Sequence, residues 1–129
     1  MDDTFNTTTE EQEAVWETYE PYPAGRRGGF PQVTITKRGT IRLNRYLTRR
    51  IDLTNGVVLL FDSRNGRIGI RPAESDSSLA VVVHRGSSDR YAEIHALSFL
   101  KRFGIKVPRT IIIDRINTTP NGLITLNLA

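Results

Sequence analysis

Residues 33–72 read VTITKRGTIRLNRYLTRRIDLTNGVVLLFDSRNGRIGIRP, and this stretch determines the predicted fold. Apolar residues alternate with threonines over residues 33–36, which is the pattern of a half-buried strand. The basic residues and glycine at 37–39 predict a turn, after which Ile41 and Leu43 continue the alternation. The unit therefore opens with two short strands joined by a basic turn.

A short helix and a second hairpin are predicted to complete the unit. Asn44 is a good helix N-cap, and apolar residues that recur at four-residue spacing from the position before it form one helical face. These are Leu43, Leu47 and Ile51. Residues 57–62 are almost continuously apolar, as in a strand buried on both faces, and Asn65-Gly66 is typical of a hairpin turn.

The same plan recurs in weaker form over residues 81–128. Three offsets relate the copies, with four-residue insertions between them. At an offset of 48 residues, Val33 and Ile35 match Val81 and Val83. At an offset of 52 residues, Leu59, Phe61 and Asp62 match Ile111, Ile113 and Asp114. At an offset of 56 residues, Gly66, Ile68 and Ile70 match Gly122, Ile124 and Leu126. The pattern indicates either an internal duplication or two units of similar topology. The polar linker 73–79 separates them, and the second unit spans residues 80–129. Residues 109–116 and 122–128 are predicted to form the closing hairpin of that unit.

Composition limits the class of protein. A chain of 129 residues suits one small domain with an arm, and the absence of cysteine excludes disulfides and thiolate metal sites. No apolar run is long enough to span a bilayer, and the acidic N-terminus is unlike a secretory signal. We therefore expect a soluble protein without membrane contact, in the cytoplasm of a bacterial, archaeal or phage-infected cell.

Charge is strongly divided along the chain. Residues 1–25 carry seven acidic groups and no Lys or Arg, whereas residues 26–129 carry all 18 basic residues against seven acidic ones, a formal charge of +11. Fifteen of the 18 are Arg, whose planar guanidinium suits phosphates and guanine edges. This pattern favours a polyanionic partner. The alternative is an ordinary solvated surface in an arginine-rich proteome.

Residues 1–32 are predicted to form an acidic arm and linker outside the domain. Thr8 and Thr9 have capping-box spacing ahead of a short helix over residues 10–19, which prolines at 21 and 23 would end. Trp16 and Tyr19 are the candidate residues for docking on a partner protein or a second subunit. The alternatives are a terminal helix folded back on the domain and a disordered tail.

The first unit resembles the swapped-hairpin domains of the AbrB/SpoVT and MazE-like family, and the two units together resemble the two-copy arrangement of MraZ proteins. The matching motifs keep the family's order and spacing over about forty residues: Thr36-Lys37-Arg38-Gly39, Ile41-Arg42-Leu43-Asn44, Ile51-Asp52-Leu53, Asn55-Gly56, and Gly66-Arg67-Ile68 through Pro72. Asn44 replaces the usual proline, Asp52 the usual glycine, and Asn-Gly replaces Gly-Asp. The second unit lacks the basic turn, because Arg85, Gly86 and Ile94 occupy the aligned positions.

The resemblance implies an α+β, mainly β fold: a small pseudo-two-fold swapped-hairpin barrel of two β-α-β-β units with an extended arm. It also implies a DNA-contacting surface on the basic turn, the second strand and the helix start. The residues carried over are Lys37, Arg38, Arg42, Arg45, Arg49 and Arg50. Arg42 and Arg45 are the best candidates for reaching a base edge, and Arg26 and Arg27 on the linker could enter a groove as a basic arm.

No catalytic arrangement is evident in the sequence. His84 and His95 are the only histidines and lack a set of carboxylates at ligand spacing, while Glu93 and His95 make at most a weak acid/base pair. Neither a nucleophile elbow nor a phosphate loop is present. We therefore predict a protein that is not an enzyme and needs no cofactor or metal.

Two functions of different classes remain open. The first is a DNA-binding transcriptional regulator that uses the basic barrel and duplex DNA. The second is a structural or adaptor subunit of a phage or nucleoprotein assembly, tethered through its arm. An antitoxin-like protein is a lesser alternative, because MazE-like arms usually follow the barrel whereas this arm precedes it.

Overall fold

A computed structural model describes residues 14–17, 29–85 and 91–128. Within them the chain forms nine short strands and two short helices. The predicted arm helix falls largely outside these residues, as do Tyr19, Arg26 and Arg27. Residues 14–17 have no helical assignment and are exposed.

The first sheet, sheet A, has five antiparallel strands. Its members are β1 (Val33–Ile35), β2 (Thr40–Leu43), β5 (Val83–Arg85), β6 (Ala92–His95) and β7 (Ile111–Ile113), in the spatial order β5-β6-β2-β1-β7. The pairing between β2 and β6 joins the opening hairpins of the two sequence units. The predicted opening hairpin of the first unit is confirmed, with Val33 opposite Leu43.

The second sheet, sheet B, has four antiparallel strands. Its members are β3 (Val57–Asp62), β4 (Arg67–Pro72), β8 (Ile116–Thr118) and β9 (Ile124–Asn127), in the order β3-β4-β9-β8. Here β4 pairs with β9, so the closing hairpins of the two units also lie side by side. Each sheet therefore contains strands from both units, and neither unit has a sheet of its own.

One apolar core lies between the sheets. Alternation places side chains such as Ile41, Ile94, Ile68 and Leu126 inside, each with no exposed surface. The helices α1 (Arg45–Thr48) and α2 (Leu97–Arg102) each contribute one buried leucine, Leu47 and Leu100 respectively. The predicted α+β, mainly β class is confirmed. The strands of the described chain form two sheets rather than one continuous closed sheet. An isolated bridge between Val57 and Val81 joins β3 to the segment before β5.

The prediction for the last hairpin is wrong in its strand pairing. We expected residues 109–116 and 122–128 to form one hairpin, but β8 alone pairs with β9, while β7 lies in sheet A against β1. The predicted match of Leu59 with Ile111 fails for the same reason, because Leu59 pairs in sheet B and Ile111 in sheet A. The exposed residues Asp114 and Arg115 separate the two strands and allow the chain to pass from one sheet to the other.

The β3–β4 turn gives a test of stability against pH. The side chains of Asn65 and Arg67, in that order of importance, donate to the Asp62 carboxylate and lower its pKa to about 2. Because this pKa lies below the ordinary value of about 3.9, the stabilisation is complete above about pH 4 and disappears as the pH falls through 2. We expect Asp62→Asn to lower the melting temperature slightly at pH 7 and to flatten its decline between pH 4 and 2. Thermal unfolding across that range measures both, and an unchanged decline would contradict the assignment.

Candidate nucleic-acid interface

The outer face of sheet A lies between two groups of exposed cations. Because Ile41 and Leu43 point into the core, Thr40 and Arg42 project from β2 on the other side. The Lys37-Arg38 turn precedes β2, and α1 with its arginines follows it. The sequence-predicted residues of the first unit are therefore arranged along one strand and at both of its ends.

The β1–β2 turn presents Lys37 and Arg38 to solvent from a fixed backbone. Thr36 stabilises the turn, since its N–H donates to the Thr40 carbonyl over 2.9 Å and its Oγ1 accepts from the Thr40 N–H over 3.1 Å. Gly39 has a φ of +91°, and a Cβ there would lie 2.7 Å from the Cα of Leu97 at the start of α2. The Gly39 carbonyl also accepts from the Ala96 N–H over 2.8 Å. A glycine is needed because the turn packs directly on the backbone of α2.

Asn44 fixes the start of α1. Its Oδ1 accepts from the Leu47 N–H at 3.3 Å, as expected for an N-cap, and its Nδ2 donates to the Phe30 carbonyl at 2.9 Å. The backbone N–H of Asn44 donates to Gln32 as well. Asn44 therefore holds the end of the linker against the helix, an interaction that a proline at this position could not make.

The helix arginines Arg45, Arg49 and Arg50 are exposed. Arg45 and Arg49 are four residues apart, so they project from the same side of the helix, and neither forms an ion pair within the described residues. Arg50 lies over the Tyr46 ring, with its Cζ 3.5 Å from the ring centroid, and donates to the Tyr46 carbonyl. Two of the three guanidinium groups are therefore available to a polyanion, and the third is held in place by an aromatic ring.

Arg42 is in a different environment from the one expected. Its Nε and Nη2 both donate to the Oε2 of Glu93, at 2.9 and 2.6 Å, and its Cζ lies 4.7 Å from the centroid of the Tyr91 ring. The side chains of Arg42 and Glu93 are 42% and 25% exposed, respectively. An arginine held in this way contributes less to binding than a free one, because a base or phosphate must compete with Glu93. Of the two candidates for base contact, Arg45 is therefore the less constrained.

Three residues that complete this face were not assigned to it from the sequence. All three come from the second unit. Glu93 on β6 lies opposite Arg42, and Tyr91, just before β6, contacts Arg42. His84 on β5 lies opposite Glu93, one strand further from Arg42. His84 and His95 stack with ring centroids 4.6 Å apart. The sequence did not predict this arrangement because these residues are far from Arg42 along the chain. Only the strand register could have predicted it, and that register depends on how the two units pair.

The remaining predicted features are only partly described. Trp16 is 75% exposed and Val15 is 87% exposed within the short described part of the arm. Over the described ranges, no group of three or more His, Asp or Glu residues could hold a metal ion. No described helix is long and apolar enough to cross a membrane.

Comparisons with protein-family models, curated proteins and solved structures give no significant match to this chain.

Proposed function

We propose that this protein is a non-catalytic DNA-binding regulator that contacts duplex DNA through the outer face of sheet A. The observation that carries the proposal is the placement of cations at both ends of β2. Residues 33–51 contain six basic residues and no acidic one. Lys37 and Arg38 lie before the strand, and Arg45 and Arg49 lie just after it, all of them exposed.

The spacing of the two groups suits a DNA groove. The strand β2 has four residues, which span about 13 Å at the usual rise of an extended chain. The major groove of B-DNA is about 12 Å wide and admits a two-stranded ribbon. In this arrangement the β2–β6 ribbon faces the groove, while the turn and helix cations contact phosphates on its two sides. The phosphate contacts would supply most of the affinity.

The arrangement of hairpins supports the relation to swapped-hairpin domains. Opening hairpins pair through β2 and β6, closing hairpins pair through β4 and β9, and the two sequence units share one core. A single chain would then supply both halves of a domain that usually needs two subunits. On this proposal the second unit contributes less to DNA binding, because it lacks a basic turn and supplies Glu93 to the face.

The acidic arm is proposed to regulate this surface. Seven acidic groups in residues 1–25 complement a body of charge +11, so the arm could cover the basic face in cis or dock on another subunit. The second candidate function, an adaptor subunit tethered through the arm, is favoured by the exposed Trp16, because exposed aromatic residues are common anchors at protein interfaces.

Salt-dependent binding of duplex DNA tests the proposal. We compare the full chain with a variant lacking residues 1–25, which retains every buried core residue that the structure describes. The full chain should bind with an affinity that falls steeply with salt, and the truncated chain should bind about tenfold more tightly, since an acidic competitor is gone. Absence of binding by both proteins at about 50 mM salt would refute the DNA-binding proposal and favour the adaptor.

A further inference from the structure

The edge of sheet A at β7 is apolar and unpaired. All three residues of the strand are isoleucine, and Ile112 is 65% exposed on the outer face of the sheet. β7 is the last strand of sheet A, with β1 on one side and no described strand on the other. The strand pairs regularly with β1 and contains no lysine, proline or bulge, the features that commonly protect a sheet edge. Such an edge is a template for pairing with another strand.

The hydrogen bonds of β1 establish which backbone groups of β7 face outward. The Thr36 N–H donates to the Thr40 carbonyl, so the even-numbered residues of β1 bond to β2. Because backbone groups alternate between the two neighbours of a strand, Val33 and Ile35 bond to β7 instead. Their partners are the first and third isoleucines of β7. The N–H and C=O of Ile112 therefore point away from β1, toward the open side.

The other edges of the two sheets differ from β7. Before β5, Val81 already exchanges two backbone hydrogen bonds with Val57. At β3, the ring of Phe103 packs beside that of Phe61, with 5.3 Å between the centroids. The edge strand β8 is polar at two of its three positions. Among the described edges, β7 is therefore the one that combines an entirely apolar strand with outward-facing backbone groups.

A second copy of β7 fits this edge by antiparallel pairing about a two-fold axis at Ile112. In that register Ile112 lies opposite Ile112 of the second copy, and their N–H and C=O groups form two hydrogen bonds. Thr110 lies opposite Asp114 of the second copy, so a hydroxyl faces a carboxylate and no like charges oppose each other on the outer face. The pairing ends there, because the Arg115 carbonyl already accepts from the Asn127 N–H in sheet B.

The space beside β7 is open to such a partner. A cavity of about 220 Å³ lies along the strand, between residues 111–115 and the end of β9 at Asn127 and Leu128. A paired strand would border this cavity and cover the exposed side chain of Ile112. The copies would therefore gain both backbone hydrogen bonds and apolar burial at the same place.

We propose that two copies of this protein associate through β7, so that their two five-stranded sheets become one continuous sheet. Thr34 lies opposite both Arg42 and Ile112, so these three side chains share the outer face. The basic faces of the two copies then lie on the same side of the joined sheet, where both can contact one duplex. This last consequence rests on the proposed DNA-binding function, whereas the association itself does not.

Sedimentation equilibrium of the full chain without DNA, over about 1–200 µM protein, tests the association. We expect the mean mass to rise from monomer toward dimer, with a dissociation constant of roughly 10–100 µM, as for a small transient interface. Ile112→Lys should weaken association about tenfold or more, because it places a charge at the centre of the pairing. Ile112→Pro should act similarly, since it removes the outward N–H but none of the hydrogen bonds between β1 and β7.

Val82→Lys is the matched control. Val82 is also exposed, at 66%, and it precedes β5 at the opposite edge of sheet A. This variant should associate like the unsubstituted protein. A cysteine at the two-fold axis tests the register, because the chain has no cysteine of its own. A short bis-maleimide reagent should join two copies of the Ile112→Cys variant much faster than two copies of Val82→Cys.

A protein that stays monomeric at about 200 µM would overturn the proposal and leave this edge to a strand of a different protein. Association that persists in both Ile112 variants, or that Val82→Lys weakens equally, would also overturn it, because another surface would then hold the copies together. Since the measurement contains no DNA, its failure leaves the proposed DNA binding intact. Failure of the DNA-binding test likewise leaves the association through β7 intact.

Discussion

Replacing Arg45 and Arg49 together by alanine should weaken duplex-DNA binding by about 100-fold at moderate salt and reduce the salt slope by about two. Both guanidinium groups are exposed on one side of α1, and neither forms an ion pair within the described residues. The fold should be preserved, because the Arg45 groups that stabilise the helix are backbone atoms: its carbonyl accepts from the Arg49 N–H and from Thr48 Oγ1. The change therefore removes charge without removing a structural contact.

The matched control is Lys101→Ala with Arg102→Ala. These two exposed cations lie in the last turn of α2, the helix of the second unit, so the control removes the same charge from the corresponding element. We expect at most a few-fold loss from this control, since long-range attraction alone is reduced. Fluorescence anisotropy at several salt concentrations measures both effects. Equal losses in the two variants would show that net charge, and not the face beside β2, determines binding.

Gly56→Ala should destabilise the protein by about 2–4 kcal/mol. Gly56 has a φ of +83°, which is unfavourable for alanine, and an added Cβ would lie 2.4 Å from the Val81 carbonyl oxygen. The Val81 carbonyl accepts a hydrogen bond from the Val57 N–H over 3.0 Å, and the Val81 N–H donates to the Val57 carbonyl over 2.7 Å. The new methyl group must therefore displace the backbone bridge that joins β3 to the segment before β5.

Gly66→Ala is the control for backbone conformation alone. Gly66 also has a positive φ, of +65°, but a Cβ there meets no atom within 4 Å. We expect a loss of about 1 kcal/mol from this variant, the cost of a left-handed conformation without a steric clash. Chemical denaturation of both variants gives the comparison. If the two glycines proved equally sensitive, close approach of Val81 would not be the reason for a glycine at position 56.

The local elements could be predicted from the sequence because their causes are local. Alternation at Val33 and Ile35 predicted β1, the cap at Asn44 predicted the start of α1, and Asn65-Gly66 predicted the β3–β4 hairpin. In each case a few neighbouring residues specify the backbone through side-chain periodicity, capping or turn geometry. The predicted strand pairing of Ile111 and Ile113 was wrong, because an apolar run has the same sequence pattern in either sheet.

The candidate site was only half predictable. Lys37, Arg38 and Arg45 are exposed cations near β2, and their density along the chain was sufficient to identify them. The state of Arg42 was not predictable, because its charge is balanced by Glu93, which is 51 residues away in sequence.

The sequence by itself determined the mainly β class, the short helices, the basic segment around β2 and the opposite charge of the N-terminal residues. Each of these features follows from the periodicity or composition of a short stretch of sequence. Only the tertiary structure decided which strands are neighbours: β2 with β6, β4 with β9, and β7 with β1. Strand pairing depends on which surfaces can be buried together across the whole chain, and many registers satisfy the same local alternation. His84 lies opposite Glu93, and Glu93 opposite Arg42, because the chain adopts one of those registers.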